Sequence, residues 1–206
     1  VLSGINITLK KGTVLGLMGE NGAGKSTMMK CLFGIYEQDE GQFFLDGKPI
    51  DFTSPKEALE NGVSMVHQEL NQCLDRTVMD NLFLGRYPKK FGVIDEKRMF
   101  RESSRLFSSL KMNVNPNVIM RTMSVSQRQM VEIAKAVSYN AKIIVLDEPT
   151  SSLTEPEINK LFAIVRDLKS KGVSFVYISH KMDEIFQICD EVSVLRDGNM
   201  VYQKTT

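Results

Sequence analysis

Short apolar runs set off by turns dominate the chain. Residues 14–18, 63–66, 143–146 and 173–178 carry hardly a polar position between them. A strand with one solvated face alternates, so these uninterrupted runs predict strands covered on both faces, as in a parallel sheet. Segments with helical spacing stand between them. Residues 26–36 place Met29, Leu32 and Phe33 on one side. Residues 154–171 place Ile158, Leu161, Phe162, Val165 and Leu168 on one face, opened by a Thr154/Glu157 capping box and closed by Gly172. Ser54-Pro55-Lys56-Glu57 predicts a further helix start, with Ser as N-cap, Pro at the first position and Glu closing a box. Asp46-Gly47 between residues 41–45 and 48–50 predicts a hairpin, and residues 192–202 predict a second around Asp197-Gly198. Residues 2–9 alternate; with the first hairpin they predict a small antiparallel sheet beside the main one.

The character changes between about residues 71 and 136. Strand signals fade, residues 95–112 carry Met99, Leu106, Phe107 and Leu110 among charges, and Pro116 breaks the pattern. The expectation is an inserted helical subdomain, after which the strand–helix alternation resumes. Such alternation implies ligands at the carboxyl ends of the strands.

Composition narrows the classes. With 206 residues the chain suits one domain. Lys and Arg total 26 against 25 Asp and Glu, which gives no electrostatic footprint for nucleic acid. No apolar run approaches the roughly 20 residues of a membrane span, and no stretch of the sequence reads as a signal peptide, so none is expected. Cys31, Cys73 and Cys189 lack metal-binding spacing and read as reduced thiols. Two histidines exclude a histidine-rich metal site. The chain opens on Val1 in what reads as mid-domain sequence, so the expectation is a piece of something longer.

The strongest chemical signal is Gly19-Glu20-Asn21-Gly22-Ala23-Gly24-Lys25-Ser26, followed by Thr27. It fits the phosphate-binding loop of nucleotide triphosphatases and lies between a predicted strand and a predicted helix. Glycines let the backbone wrap a polyphosphate, and N–H groups at the helix start point at its oxygens. Lys25 supplies a cation for the β and γ phosphates, and Ser26 a hydroxyl for magnesium. Asp147 and Glu148 end the strand at 143–146; the first is placed to hold magnesium through water, the second to deprotonate or orient an attacking water. Gln68 and His180 also follow strands. Alone, Gln68 reads as a solvated loop residue ahead of a magnesium contact, and His180 as a helix cap ahead of a γ-phosphate partner. Ser124-Val125-Ser126-Gln127 reads as a capping box ahead of a helix over 128–139, or as an N-terminus offered to the phosphate of a second molecule.

In this order the motifs resemble the ATP-binding cassette family over nearly the whole chain: phosphate loop, glutamine loop at Gln68, signature at Ser124, the Asp147-Glu148 pair, Ser151-Ser152-Leu153-Thr154, then His180. Residues 30–36, 64–70, 80–88 and 138–142 are similar to its sugar-importer group, whose subunits fuse two cassettes. The resemblance implies an α/β P-loop (RecA-like) core with a small antiparallel β subdomain and an inserted helical subdomain. It implies ATP and magnesium as cofactors, and Glu148 as catalytic base with His180 as the γ-phosphate contact. Ser26, Gln68 and Asp147 would be the metal-site groups. The implied partners are a second cassette fused downstream, a membrane permease and, indirectly, a periplasmic sugar-binding protein. The place would be the cytoplasmic face of a bacterial inner membrane.

Three departures from the family pattern carry expectations. The usual signature Leu-Ser-Gly-Gly-Gln is here Met123-Ser124-Val125-Ser126-Gln127, which predicts a weakened or non-hydrolytic site on the partner cassette. Thr154 stands where the next loop commonly has Asp, which predicts altered cross-talk between the two sites. The family's adenine-stacking aromatic precedes the first strand and falls ahead of Val1, so weaker nucleotide affinity than in the intact subunit is expected. A soluble P-loop kinase and a non-hydrolysing nucleotide clamp are the competing readings. The kinase gives no reason for His180 or the Ser124 segment, and intact Lys25, Asp147 and Glu148 argue against the clamp.

Overall fold

The structure is a computed structural model and describes residues 2–205. In chain order it runs β1 (Val14–Met18), α1 (Lys25–Leu32), β2 (Phe43–Leu45), β3 (Lys48–Ile50), α2 (Pro55–Glu60), β4 (Val63–Val66), α3 (Val78–Leu82), β5 (Lys89–Lys90), β6 (Val93–Ile94) and α4 (Glu96–Ser109). A short 3-10 turn (Met120–Thr122) follows, then α5 (Val125–Val137), β7 (Ile143–Asp147), α6 (Glu155–Ser170), β8 (Ser174–Ile178), α7 (Met182–Ile188), β9 (Glu191–Arg196) and β10 (Asn199–Thr205).

Six strands form one sheet in the order β10-β9-β1-β8-β7-β4. All its pairings are parallel except β10 with β9, the predicted second hairpin. The apolar runs are explained by cover on both faces. Ile144, Leu146, Phe175 and Tyr177 point into one buried cluster with α5, α6 and α7, while Val145, Val176 and Ile178 point into another with Met28, Met29 and Phe33. Each such side chain, fully buried, contributes roughly 1.5–3 kcal/mol. Tyr177 and Phe162 meet edge to face at 6.1 Å between ring centroids, fixing α6 on the sheet.

Register decides where chemistry can occur. Leu17 pairs with Ile178, Ile178 with Asp147, and Leu146 with Val66. The strands therefore stop level with one another. The residues after them, Gly19, Gln68, Glu148 and His180, all emerge at one edge of the sheet.

Several expectations need correction. Residues 2–9 do not form a strand: among the described residues their one ladder contact is a bridge from Ser3 to Asn199. Leu2, Ile5, Ile7 and Leu9 alternate because they lie half-buried along the second cluster, and the β2–β3 hairpin stands as a sheet of its own. Asp46 (φ 51°) and Gly47 (φ 75°) turn that hairpin as the Asp-Gly signal predicts. Helix α1 stops at Leu32 rather than Tyr36, because Gly34 takes a left-handed φ of 64°. Helix α5 starts directly after Ser124 at Val125, earlier than expected. Glu57 closes its loop on the N–H and hydroxyl of Thr53 (both 2.9 Å) rather than on Ser54. Between residues 67 and 142 lie α3, α4 and α5 and also a two-stranded β5–β6 ribbon, which the fading strand signal did not predict.

Gly34 yields one stability prediction. A Cβ there would stand 1.9 Å from the Phe52 carbonyl oxygen, in a conformation that L residues rarely adopt. Gly34→Ala is expected to cost about 3 kcal/mol, read as a lower denaturant midpoint at unchanged slope.

Candidate functional site

The site begins with α1. Its N-cap is Gly24 (φ 105°), which has no side chain to bond the first turn, so the N–H groups of Lys25, Ser26 and Thr27 are left to face outward. The loop before it is pinned from behind: Ala23 N–H donates to Glu20 O (3.1 Å), and Ala23 O accepts from Gly198 N–H (3.2 Å). Ala23 is buried, whereas Asn21 and Gly22 are exposed. Lys25 Nζ folds over the loop onto the Gly19 (2.5 Å) and Glu20 (3.0 Å) carbonyls. It thus reaches across the mouth of the loop. A cavity of about 200 Å³ opens there, lined by Asn21, Gly22, Gly24, Lys25, Ser26 and Thr27 on one side and Gln68, Asp147 and Glu148 on the other.

The far wall carries unusual acids. Burial first, and the charge of Glu148 second, push the Asp147 carboxyl above the ordinary Asp range, against the opposing charges of His67 and Lys25. Glu148 has a left-handed backbone (φ 46°), costly for a non-glycine residue, and its N–H donates to Ile178 O at the end of β8 (2.9 Å). Its Oε1 lies 2.8 Å from Nδ1 of His180; with the carboxylate ionised the ring nitrogen is the donor. Its Oε2 is buried with no hydrogen-bond partner among the described residues. Glu148 lines the cavity, and a carboxylate there can accept a proton from a molecule that occupies it. The imidazole beside it is largely exposed, so its outer face is free to meet a ligand.

Magnesium fits this donor set. Ser26, Gln68 and Asp147 offer hard oxygens around the same cavity, and a carboxylate whose charged form is disfavoured gains from a nearby cation. Among the described residues no group of three His, Cys, Asp or Glu could cage a metal.

The other predicted residues lie apart. Ser124 caps α5: its Oγ accepts from Gln127 N–H (3.2 Å), Gln127 Oε1 accepts from Ser124 N–H (3.0 Å), and the hydroxyls of Ser124 and Ser126 are 2.9 Å apart. Val125 is exposed at the tip. None of these four lines the phosphate-loop cavity; Ser126 and Gln127 border a larger one of about 600 Å³ between α6 and the segment after α4. That larger cavity mixes methionine and aliphatic side chains with Lys111, Glu157, Lys160 and Asp167 and contains no part of the phosphate loop, so the loop motif rather than size selects the site. Thr154 opens α6 with its N–H and hydroxyl both on Glu157 Oε2 (2.8 and 2.7 Å).

One group escaped the sequence reading. Glu184 on α7 is buried beneath the site and bonded to Thr150, Tyr177 and Lys181. Its spacing of four from the buried Ile188 was the available signal: an acid on the core face of a helix needs partners.

The sequence model for "ABC transporter" matches residues 2–151. The chain belongs to the ABC transporter family. It is 77% identical over 198 residues to the galactose/methyl galactoside import ATP-binding protein MglA of Treponema pallidum (strain Nichols), covering 96% of this chain and 40% of that protein. It is 59% identical over 200 residues to MglA of Escherichia coli (strain K12), covering 97% of this chain and again 40% of the relative. The chain thus spans about 40% of the length of the curated relatives it matches. Among solved structures it resembles a nucleotide-free ATP-binding cassette from an ABC transporter (TM-score 0.88, 27% identity, 99% of this chain and 85% of that one). It also resembles an ABC transporter cassette in its ADP conformation (TM-score 0.87, 28% identity, 100% and 85%). The fold of this family member is therefore the α/β P-loop core expected from the sequence, with the parallel sheet at its centre. Among the described residues no helix is long and apolar enough to cross a membrane.

Proposed function

We propose that the chain binds ATP with magnesium at the loop of residues 19–27 and hydrolyses it as one cassette of a two-cassette subunit that powers sugar uptake. The observation that carries this is the placement of Asp147 and Glu148 across one small cavity from Lys25 and Ser26, with His180 paired to Glu148 at 2.8 Å from outside the cavity lining. Loop amides and Lys25 hold the β and γ phosphates. Ser26, Gln68 and Asp147 hold the magnesium ion, which when bound would offset charge on the phosphates. The Glu148 carboxylate takes a proton from the attacking water, and His180 orients that carboxylate and meets the γ-phosphate with its exposed face. The names of the relatives favour galactose or a methyl galactoside as cargo.

The relatives' extra length fits a second cassette fused downstream. In that arrangement Ser124, Val125, Ser126 and Gln127 complete the site on the partner cassette, less effectively than a glycine pair would. The helical subdomain of about residues 71–136 and Gln68 face the membrane permease at the cytoplasmic face of the inner membrane, and the permease takes sugar from a binding protein on the periplasmic side. The test is phosphate release from ATP by the two-cassette subunit with no acceptor present. Magnesium-dependent formation of ADP and phosphate is expected. Turnover only when an acceptor is added would replace this reading with a kinase.

A further inference from the structure

We infer that Glu184 is a positioning residue for the reaction proposed above, on which this inference rests: its buried carboxylate clamps the turn after Glu148 to the segment around His180 and so holds that pair in register. Thr150, two residues past Glu148 and 1% exposed, donates its hydroxyl to both Glu184 oxygens at 2.7 and 2.8 Å. Tyr177, three residues before His180 and fully buried, donates to Oε2 at 2.7 Å. Lys181, the residue after His180, lies 3.0 Å from Oε1 and 3.3 Å from the Thr150 hydroxyl. Ser179, the residue before His180, bonds Lys181 N–H at 3.1 Å and approaches Oε2 at 3.4 Å. One carboxylate thus contacts side chains before and after His180 and just beyond Glu148.

The geometry at Glu148 explains why a clamp is needed. Its left-handed backbone persists only if the surroundings fix it. Its own N–H is bonded to Ile178 O and its carbonyl to Ser151 N–H (3.2 Å), and the anchoring of Thr150 adds a side-chain restraint on the far side of the strained residue. The clamp is built for an ionised acid. Burial pushes the Glu184 carboxyl up, but hydrogen bonds from Tyr177, Thr150 and Lys181 and the charge of Lys181 outweigh it and hold the carboxyl below its usual value. The Tyr177 hydroxyl is correspondingly pushed up, by burial first and by Glu184 second. Neutral Gln would present an N–H₂ group to hydroxyl and ammonium donors and lose part of the set.

Two arms test this. In the two-cassette subunit Glu184→Gln is expected to lower kcat by about 10–100-fold, the order that a misplaced catalytic group costs, while KM for ATP moves less than about threefold because the phosphate loop is untouched. In the chain itself, with only two histidines to assign, the ring nitrogen NMR shifts of His180 should move in Glu184→Gln toward those of Glu148→Ala. Thr150→Val, which keeps the carboxylate and removes one donor, should move them the same way and serves if the first variant does not fold. Ile133→Val, in the α5 core, lowers stability without touching the network and should leave kcat and the His180 shifts unchanged. Unmoved His180 shifts in the Glu184 and Thr150 variants, or equal movement in Ile133→Val, would overturn the clamp. The NMR arm needs no turnover, so a subunit that hydrolyses no ATP would refute the proposed function while the clamp is still decided.

Discussion

Replacing Glu148 by Gln is expected to leave ATP binding within about twofold and to slow turnover of the two-cassette subunit by roughly 10²–10⁴-fold. The amide is isosteric and its oxygen can still accept from His180, so the pair at 2.8 Å and the strained turn survive. What disappears is the carboxylate as a proton acceptor. Binding energy comes from the opposite wall of the cavity, where the loop and Lys25 lie, so affinity should not follow turnover. Equilibrium binding of a fluorescent ATP analogue beside steady-state phosphate release separates the two quantities. Unchanged turnover would remove Glu148 as the base.

Lys25→Ala should have the largest effect on affinity. The ammonium is the one side chain of the loop able to bridge phosphates by charge; here it rests on the Gly19 and Glu20 carbonyls. It can exchange those neutral acceptors for anionic oxygens without moving the backbone. Loss of charge-assisted hydrogen bonds of this kind costs about 3 kcal/mol or more, an affinity loss of roughly 10²–10³-fold. Isothermal titration with ATP and magnesium measures it directly. The fold should be unaffected, since Lys25 belongs to neither buried cluster. An unaltered affinity would take the phosphate loop out of the mechanism.

The parts legible in the sequence are those set by local chemistry. Asp46-Gly47 and Asp197-Gly198 announce their hairpins because each puts two residues at positive φ, and the uninterrupted runs at 143–146 and 173–178 announce central strands because both faces are covered. The phosphate loop and the Asp147-Glu148 pair were readable as motifs, and matched strand ends bring Gln68 and His180 to the same edge. What stayed hidden depends on distant partners. Residues 2–9 show strand alternation, yet alternation records half-burial and not the presence of a neighbour to pair with. The end of α1 depends on Gly34 pressing against Phe52, eighteen residues away. Arg86 stacks on the Tyr139 ring at 3.8 Å and donates to the carbonyls of Leu82 and Ser138 (both 3.0 Å), tying the end of α3 to the end of α5. Nothing near Arg86 in sequence forecasts that. Glu184 is the same case at the site: it looks like one more acid in the first turn of α7 until Thr150 and Tyr177 are folded onto it.

The most direct measurement of the central claim is a crystal structure of the chain with a nonhydrolysable ATP analogue and magnesium. The account predicts the triphosphate in the 200 Å³ cavity, with Lys25 lifted from the Gly19 and Glu20 carbonyls onto the β and γ phosphates, metal at Ser26 and Asp147, and a water against Oε2 of Glu148. An analogue seated instead in the 600 Å³ cavity beside Ser126 and Gln127, or an empty loop at saturating analogue, would contradict it.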